Sequence, residues 1–405
     1  MVAQLGTRVV SQAWLRVAMT ETLLRTPLYD THVERSARLV EFAGWQMPVQ
    51  FAGIIEEHIH TRTACSMFDV SHMGRLKLTG TDCESFLNRL CTRNLVGADV
   101  GRSYYSHMCR EDGRVLDDLI VSRFESHWGI VCNGANREKI VSWLNKHNGG
   151  TDVRIKDETL ATAMIAIQGP KTLAIAQEIV DTDLSSIKRY WFKTFTMIGM
   201  RITVYRSGYT GEDGFEVVVP AGIVKMLLPK LLGTKEKPHP IVKPAGLGAR
   251  DTLRIEAAMP LYGHELSEEV DSLTAGQGWC VDLSKDFLGA EPMRKLKEEG
   301  LPRRLVGLEL DGRRIARQHC RVYDGGREVG EVTSGTLSPT LAKSIAMAFV
   351  ASDFAEEGMK LEVEAGRKRV AARIVKLPFY KRPKRVDRAL PDNQTRRRAE
   401  PDLPG

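Results

Sequence analysis

Near Arg303 the texture of the chain changes, and that break limits the fold more than any other feature. Beyond it come short alternating runs, RLVGLEL (304–310), CRVYD (320–324), REVGEVT (327–333), KLEVEA (360–365) and RVAARIV (369–375). Turn signals at Asp311-Gly312, Gly325-Gly326 and Gly366 divide them. Period-two runs with glycine turns predict a small all-β barrel or sandwich over about 300–380. Before the break, strands and helices interleave. GRLKLTG (74–80) alternates as a strand, and Thr81-x-x-Glu84 reads as a capping box opening a helix with Phe86, Leu87 and Leu90. Tyr104–Met108 and Leu116–Phe124 read as strands joined at Asp112-Gly113, with GIVCNG (129–134) a third and Asn136 as the cap of the next helix. ATAMIAIQG (161–169) and MRITVYR (200–206) read as strands around a helical LAIAQEIV (173–180). The body over 27–290 is therefore expected to be α+β or α/β, joined to the barrel through the Lys- and Glu-rich 285–303.

Charge narrows the function classes. The net charge is +7, with 58 Lys+Arg against 51 Asp+Glu. Residues 1–26 hold three basic side chains against one acid, and 381–405 hold eight against four. That leaves 47 basic and 46 acidic residues in the body, which has no overall field for nucleic acid. Residues 1–26, with Arg8, Arg16 and Arg25 among apolar residues and no acid before Glu21, are expected to be a mitochondrial presequence. Residues 381–405, almost without apolar side chains, are expected to be disordered. No apolar run approaches the ~18 residues of a membrane helix. Seven scattered cysteines without a Cys-x-x-Cys pair favour reduced thiols over a zinc ribbon or disulfide framework.

The chain carries no Gly-x-Gly-x-x-Gly after a strand, no P-loop, no Gly-x-Ser-x-Gly and no His-Glu-x-x-His. His58-Ile-His60 offers two imidazoles without a third ligand, so surface histidines are the expectation and no metal site is. Three segments remain. In Gly113–Val121 two carboxylates, Asp117 and Asp118, begin an apolar strand, on which at most one naturally faces the interior; a buried one needs a partner or ligand. The alternative is that both merely finish a hairpin. Gly208-Tyr-Thr-Gly-Glu-Asp-Gly214 permits close backbone approach before a strand bearing Glu216. Pro244–Glu256 reads as a helix with Arg250 and Arg254 on one face, suited to a ligand carboxylate or to an internal salt bridge.

In this order the three segments resemble the glycine cleavage T-protein family, the tetrahydrofolate-dependent aminomethyltransferases, in its mitochondrial form. The resemblance runs from Thr26-Pro-Leu-Tyr29 to Pro378-Phe-Tyr380. It includes Phe42-Ala-Gly-Trp45, Phe68-Asp-Val-Ser-His-Met73, Leu116-Asp-Asp118-Leu, Gln168-Gly-Pro170, Gly248-Ala-Arg-Asp251 and Val332-Thr-Ser-Gly335. It implies a multi-domain, cloverleaf-like α+β arrangement, with two mixed α/β lobes forming the folate site and a C-terminal β-barrel. It also implies transfer of a methylene group from the aminomethylated lipoyl arm of the H protein to tetrahydrofolate. Asp118 matches the essential carboxylate, and Asp117 a neighbour not assigned to catalysis. Glu216 matches the residue that holds the pterin. Met73, Tyr105 and Tyr209 match residues around the pterin and aminobenzoyl groups, with Val131 and Asn133 on the adjoining strand. Arg250 matches an arginine near the folate's carboxylated end, while Tyr380 and Arg382 match a segment that closes the site.

The implied partners are lipoylated H protein and, loosely, the P and L proteins, in the mitochondrial matrix. Neither nucleic acid nor membrane is implied, and no metal, flavin or nicotinamide. Folate-binding dimethylglycine or sarcosine dehydrogenases share these motifs but need an N-terminal flavin domain. Folate-binding iron–sulfur assembly factors carry a Lys-Gly-Cys-Tyr-type motif, absent here.

Overall fold

The computed structural model of the chain describes residues 23–197 and 199–383. It begins with β1 (Leu24–Arg25), α1 (Tyr29–Glu34), β2 (Arg38–Phe42) and β3 (Trp45–Gln50), a small sheet in the order β1-β3-β2. The boundary expected at residue 26 thus falls inside the fold, because Leu24 and Arg25 pair with Trp45 and Gln46 and the buried Thr26 hydroxyl donates to Asp69. Residues 1–22 of the expected presequence, and the tail from 384, lie outside the described residues.

Next come α2 (Ile54–Thr63) and β4 (Cys65–Asp69), followed by β5 (Gly74–Thr79), α3 (Cys83–Leu90), β6 (Arg102–Cys109), β7 (Val115–Arg123), β8 (Trp128–Cys132), α4 (Arg137–Lys146) and β9 (Arg154–Asp157). The strands β6-β7-β8-β5-β9 form an antiparallel sheet. Its helix α3 buries Cys83, Phe86, Leu87 and Leu90, positions i, i+3, i+4 and i+7, against Leu76, Leu119 and Ile130 of that sheet. The expected capping box does not form. Asp82 is the N-cap residue, and the Thr81 hydroxyl donates to Asp152 instead.

The chain then returns through β10 (Thr162–Gln168), α5 (Thr172–Ile179), β11 (Phe192–Met197), β12 (Met200–Tyr205), β13 (Gly214–Pro220), α6 (Ala221–Leu232) and β14 (Val242–Ala245). These strands take β4 into a six-stranded sheet, β11-β12-β13-β10-β4-β14, in which β14 runs parallel to β4. Its two faces are covered differently. Ile165, Ile167 and Phe215 pack on Ile175 of α5 and on Val224, Leu227 and Leu231 of α6. Met164 and Ala166 pack on Ala249 and Leu253 of α7 (Leu247–Glu256).

After α7 an irregular segment leads to α8 (Ala290–Glu299). The connection expected over 285–303 is more than a linker. Phe287, Ala290 and Met293 are buried with Cys109 and Val115 of the five-stranded sheet and Phe349 of the barrel. Finally β15 (Arg303–Leu310), β16 (Arg321–Asp324), β17 (Arg327–Ser338), β18 (Lys343–Ala351), β19 (Lys360–Ala365) and β20 (Lys368–Val375) close into a barrel, β15-β18-β17-β16-β19-β20. The architecture is mixed α and β with a closed six-stranded C-terminal barrel, as the sequence predicts.

Candidate active site

The centre of the site is the start of β7, which lies between β6 and β8. Asp117 is wholly buried and Asp118 partly so, although the sequence suggests that at most one carboxylate faces inward. The turn after β8 explains this by crossing the end of β7 with amide donors. Asn133 donates its backbone N–H to Asp117 Oδ2 at 3.0 Å, and its Nδ2 to Asp117 Oδ1 and to Asp118 Oδ1, both at 2.8 Å. Asn136 Nδ2 donates to Asp117 Oδ1 at 2.6 Å, so its side chain serves a carboxylate instead of capping α4, as expected from the sequence. Burial pushes both carboxyls above the usual range, and the Asp118 charge pushes Asp117 further. Bonds from Asn133 and Tyr105 offset only part of this at Asp118.

Tyr105 reaches the same carboxylate from β6, its hydroxyl donating to Asp118 Oδ2 at 3.1 Å. Burial, then the nearby Asp118, raises the Tyr105 phenol well above its ordinary value, so it stays protonated. Its ring stacks on Trp279 at 5.2 Å, and Trp279 is 55% exposed, which places an open aromatic edge one ring away from the carboxylate. His107 lies next to Tyr105. Neither Trp279 nor His107 stands out in the sequence, because a lone aromatic in a loop and a lone histidine on a strand carry no spacing signal.

A second wall comes from the six-stranded sheet and α7. Glu216 sits on β13 opposite Ala166 and Tyr205, and accepts a 2.5 Å bond from the Ser207 hydroxyl. Tyr209 donates its hydroxyl to the carbonyl of Pro260, and burial raises its phenol, with Arg254 opposing that shift and Asp118, from the first wall, adding to it. Below Tyr209 lies the guanidinium of Arg250, 4.6 Å from the ring centroid. Among the described residues, Arg250 Nη1 is buried without a hydrogen-bond partner, as is His72 Nδ1. Burial lowers the Arg250 pKa, and Glu216 opposes that shift. Burial, then Arg250, holds His72 down to about 4, so it is neutral near pH 7. Arg250, expected at the carboxylated end of a folate, thus shares its surroundings with Tyr209 and Glu216. The two arginines of α7 also differ. Arg254 forms the internal salt bridge, to Glu265 at 2.7 Å and Asp251 at 2.9 Å. Met73 and Val131 join Val218 on the apolar cluster of Phe68, Met164 and Leu253 and form the floor between the walls.

Tyr380 and Arg382 lie apart from this group. The Tyr380 hydroxyl donates to Glu212 at 2.7 Å and Arg382 pairs with Asp213 at 3.5 Å, so both grip the Gly208–Gly214 loop from outside. Arg62 completes the grip, contacting the Thr210 carbonyl at 2.6 Å, Glu212 at 3.0 Å and the face of Tyr380 at 3.9 Å. His58, expected on the surface, is buried in α2, with Nδ1 2.7 Å from the Thr252 hydroxyl and Nε2 2.9 Å from the Thr340 hydroxyl. His60 Nε2 lies 2.8 Å from the carbonyl of Ile241.

The arrangement sets negative charge and paired acceptors, on the partly buried Asp118 and Glu216, beside the apolar Met73, Val131 and Val218. It suits a ligand with nitrogen donors and a cation that forms during reaction. A nucleophilic thiol is not at hand: Cys280, the cysteine that feels the Asp118 charge, is pushed up to about 12, mainly by burial. Among the described residues no group of three or more His, Cys, Asp or Glu could hold a metal ion. A separate cavity of about 490 Å³ beside Tyr29, Trp45 and Lys225 contains none of these residues.

Comparison with known proteins gives the family. Residues 28–285 match the GCVT N-terminal domain family, and residues 303–381 match the glycine cleavage T-protein C-terminal barrel domain. The chain is 44% identical over 367 residues to an aminomethyltransferase of Bacillus cytotoxicus, covering 90% of this chain and 100% of that protein. An aminomethyltransferase of Desulfitobacterium hafniense is 43% identical over 368 residues, again 90% of this chain and all of the relative. The crystal structure of the glycine cleavage system aminomethyltransferase T from Bartonella henselae superposes with a TM-score of 0.83 at 30% identity, covering 89% of this chain and 99% of that one.

Proposed function

The chain belongs to the glycine cleavage T-protein family of aminomethyltransferases, and from that premise we propose how its own residues carry the reaction. Tetrahydrofolate is the family's one-carbon acceptor, and the donor is an aminomethyl group on the H protein's dihydrolipoyl arm. Two folate nitrogens form bonds to the methylene carbon while its bonds to the amine nitrogen and to sulfur break. The two protons that leave the folate nitrogens end on ammonia and on the freed thiol.

Asp118 is the catalytic carboxylate in this proposal. Held by Tyr105 and Asn133, it stabilises positive charge that develops on the folate nitrogen as the new bond forms. Glu216 accepts from the paired N–H donors of the aminopyrimidine edge, for which two carboxylate oxygens are a geometric match. Arg250 offers its unpaired Nη1 to an acceptor on the bound folate. Met73, Val131 and Tyr209 form the apolar and aromatic bed, while Tyr380 and Arg382 act through the loop that carries Tyr209. The observation that carries the reading is the gathering of Asp118, Tyr105 and Asn133 opposite Glu216, Tyr209 and Arg250 in a chain that matches both family domains.

We also assign the chain to the mitochondrial matrix, with residues 1–22 within an import presequence and lipoylated H protein as its direct partner, alongside loosely associated P and L proteins. Two arginines and a single acid within residues 1–22, ahead of a family match that begins at residue 28, support the targeting reading. A coupled assay for methylenetetrahydrofolate, with aminomethyl-loaded H protein and tetrahydrofolate, tests the function. Product is expected only with both substrates, and its absence with correctly loaded H protein overturns the reading. Sequencing the mature N-terminus from mitochondria tests the targeting, which an intact Met1 would overturn.

A further inference from the structure

His107 stands directly opposite Asp118 in the register of β6 and β7 and is wholly buried. It is two residues from Tyr105, so the two side chains project from the same face of β6. Three contacts run in series. Ser272 Oγ lies 2.7 Å from His107 Nδ1, His107 Nε2 lies 3.3 Å from the Tyr105 hydroxyl, and that hydroxyl lies 3.1 Å from Asp118 Oδ2.

Only one placement of protons satisfies this series when Asp118 is ionised. A carboxylate accepts and cannot donate, so the Tyr105 hydroxyl donates to Asp118. Burial holds the His107 imidazole down to about 3, which leaves it neutral with a single N–H. If that hydrogen sat on Nδ1, the Nε2 lone pair would face a tyrosine oxygen whose proton is already committed. With the hydrogen on Nε2, His107 donates to Tyr105 and Nδ1 accepts from the Ser272 hydroxyl. We propose that His107 is a positioning residue for the transfer reaction: through a directed series Ser272 → His107 → Tyr105 → Asp118 it orients the Tyr105 hydroxyl and keeps Asp118 ionised. Each donation polarises the next O–H, so the bond that reaches the carboxylate is stronger than an isolated tyrosine would make.

Other groups also face Asp118: Asp117 on its own strand, Asn133 after β8, Cys280 in the segment before α8, Tyr209 in the loop after β12, and Tyr262. His107 acts against that background by favouring the charged form. Its loss therefore moves the acid limb of activity upward in pH.

The kinetic consequence rests on the aminomethyltransferase reading, whereas the proton position does not, so two measurements separate them. Nitrogen-15 NMR of the histidine rings in the full-length protein at neutral pH is expected to show His107 with its hydrogen on Nε2; an Nδ1–H ring overturns the series whether or not the chain transfers aminomethyl groups. In the transfer assay, His107→Phe is expected to lower kcat roughly three- to tenfold and to raise the midpoint of the acid limb, with KM for tetrahydrofolate unchanged. His107→Gln, whose amide can donate to Tyr105, restores most of the rate. In a Tyr105→Phe background the His107 substitution produces no further shift. A folded His107→Phe protein with an unmoved midpoint, or a shift that persists without the Tyr105 hydroxyl, overturns the proposal. If His107→Phe does not fold, Ser272→Ala replaces it, with a smaller shift in the same direction expected and an unmoved midpoint counting against the series.

Discussion

Asp117 and Asp118 are adjacent in sequence and differ in what their surroundings allow. Asp117 is sealed and takes three amide donations from Asn133 and Asn136, while Asp118 is only partly buried. Asp118→Asn keeps the shape and removes the charge, so tetrahydrofolate binding should survive while kcat falls by roughly two to three orders of magnitude. Single-turnover kinetics and a folate titration check both halves. Because burial raises the Asp118 carboxyl, transfer should fall as the pH drops through a midpoint above the ordinary carboxylate range, and that limb should vanish in Asp118→Asn. A pH–rate profile of kcat/KM reads this directly. Arg250→Ala removes a buried guanidinium with a free Nη1 and should weaken folate binding by roughly 1–3 kcal/mol, as measured by calorimetry. Unchanged affinity would make Arg250 a support for Tyr209 only.

Elements were legible in the sequence where one face of a strand or helix meets water, and obscure where neither does. The alternating runs of the barrel, β15, β16, β19 and β20, show their period because polar and apolar side chains take turns. The run KSIAMAFVA of β18 is buried from Ser344 to Val350, so it has no alternation to read. Polar residues misled for a related reason. Thr81 and Asn136 both look like helix caps, but tertiary partners, Asp152 and Asp117, take their side chains. The site was legible as far as paired carboxylates, a glycine loop and an arginine could show it. Trp279 and Arg62 reach it only through contacts between segments distant in sequence, while His107, two residues from Tyr105, is a lone histidine on a strand with no spacing pattern to mark it. The helix α6 gives an element-scale test. Its Val224, Leu227, Leu228, Leu231 and Leu232 form a buried stripe against β10 and β13, so Leu231→Ala should cost about 2–5 kcal/mol in urea unfolding without changing KM.

At the scale of the whole molecule, the question is how a barrel begun at Arg303 helps hold a site built from residues between Met73 and Cys280. Glu256, at the end of α7, is wholly buried where the two meet. It accepts from Arg62 at 2.8 Å, from the backbone N–H of Thr340 at 3.1 Å, from the Thr340 hydroxyl at 2.8 Å and from the Ser338 hydroxyl, with His58 Nε2 3.2 Å away. The backbone carbonyl of Glu256 accepts from Tyr380, and Arg62 passes the connection on to Glu212 in the loop bearing Tyr209. Burial alone would raise the Glu256 carboxyl, but the contact with His58, the Ser338 bond and the Arg62 charge outweigh it and hold it down to about 2. A carboxyl depressed in the folded state stabilises fully above its unfolded pKa, and that stabilisation fades as pH falls from about 4.3 through about 2. Glu256→Gln should therefore cost about 3 kcal/mol at pH 7, since it leaves Arg62 short of a buried partner, and the difference from wild type should shrink steadily below about pH 4. It should also raise KM for tetrahydrofolate, because the Gly208–Gly214 loop loses an anchor one residue removed from the chemistry. Thermal unfolding at several pH values, with KM measured alongside, separates this from local damage: a stability loss with unchanged KM would mean that the barrel braces α7 without reaching the loop.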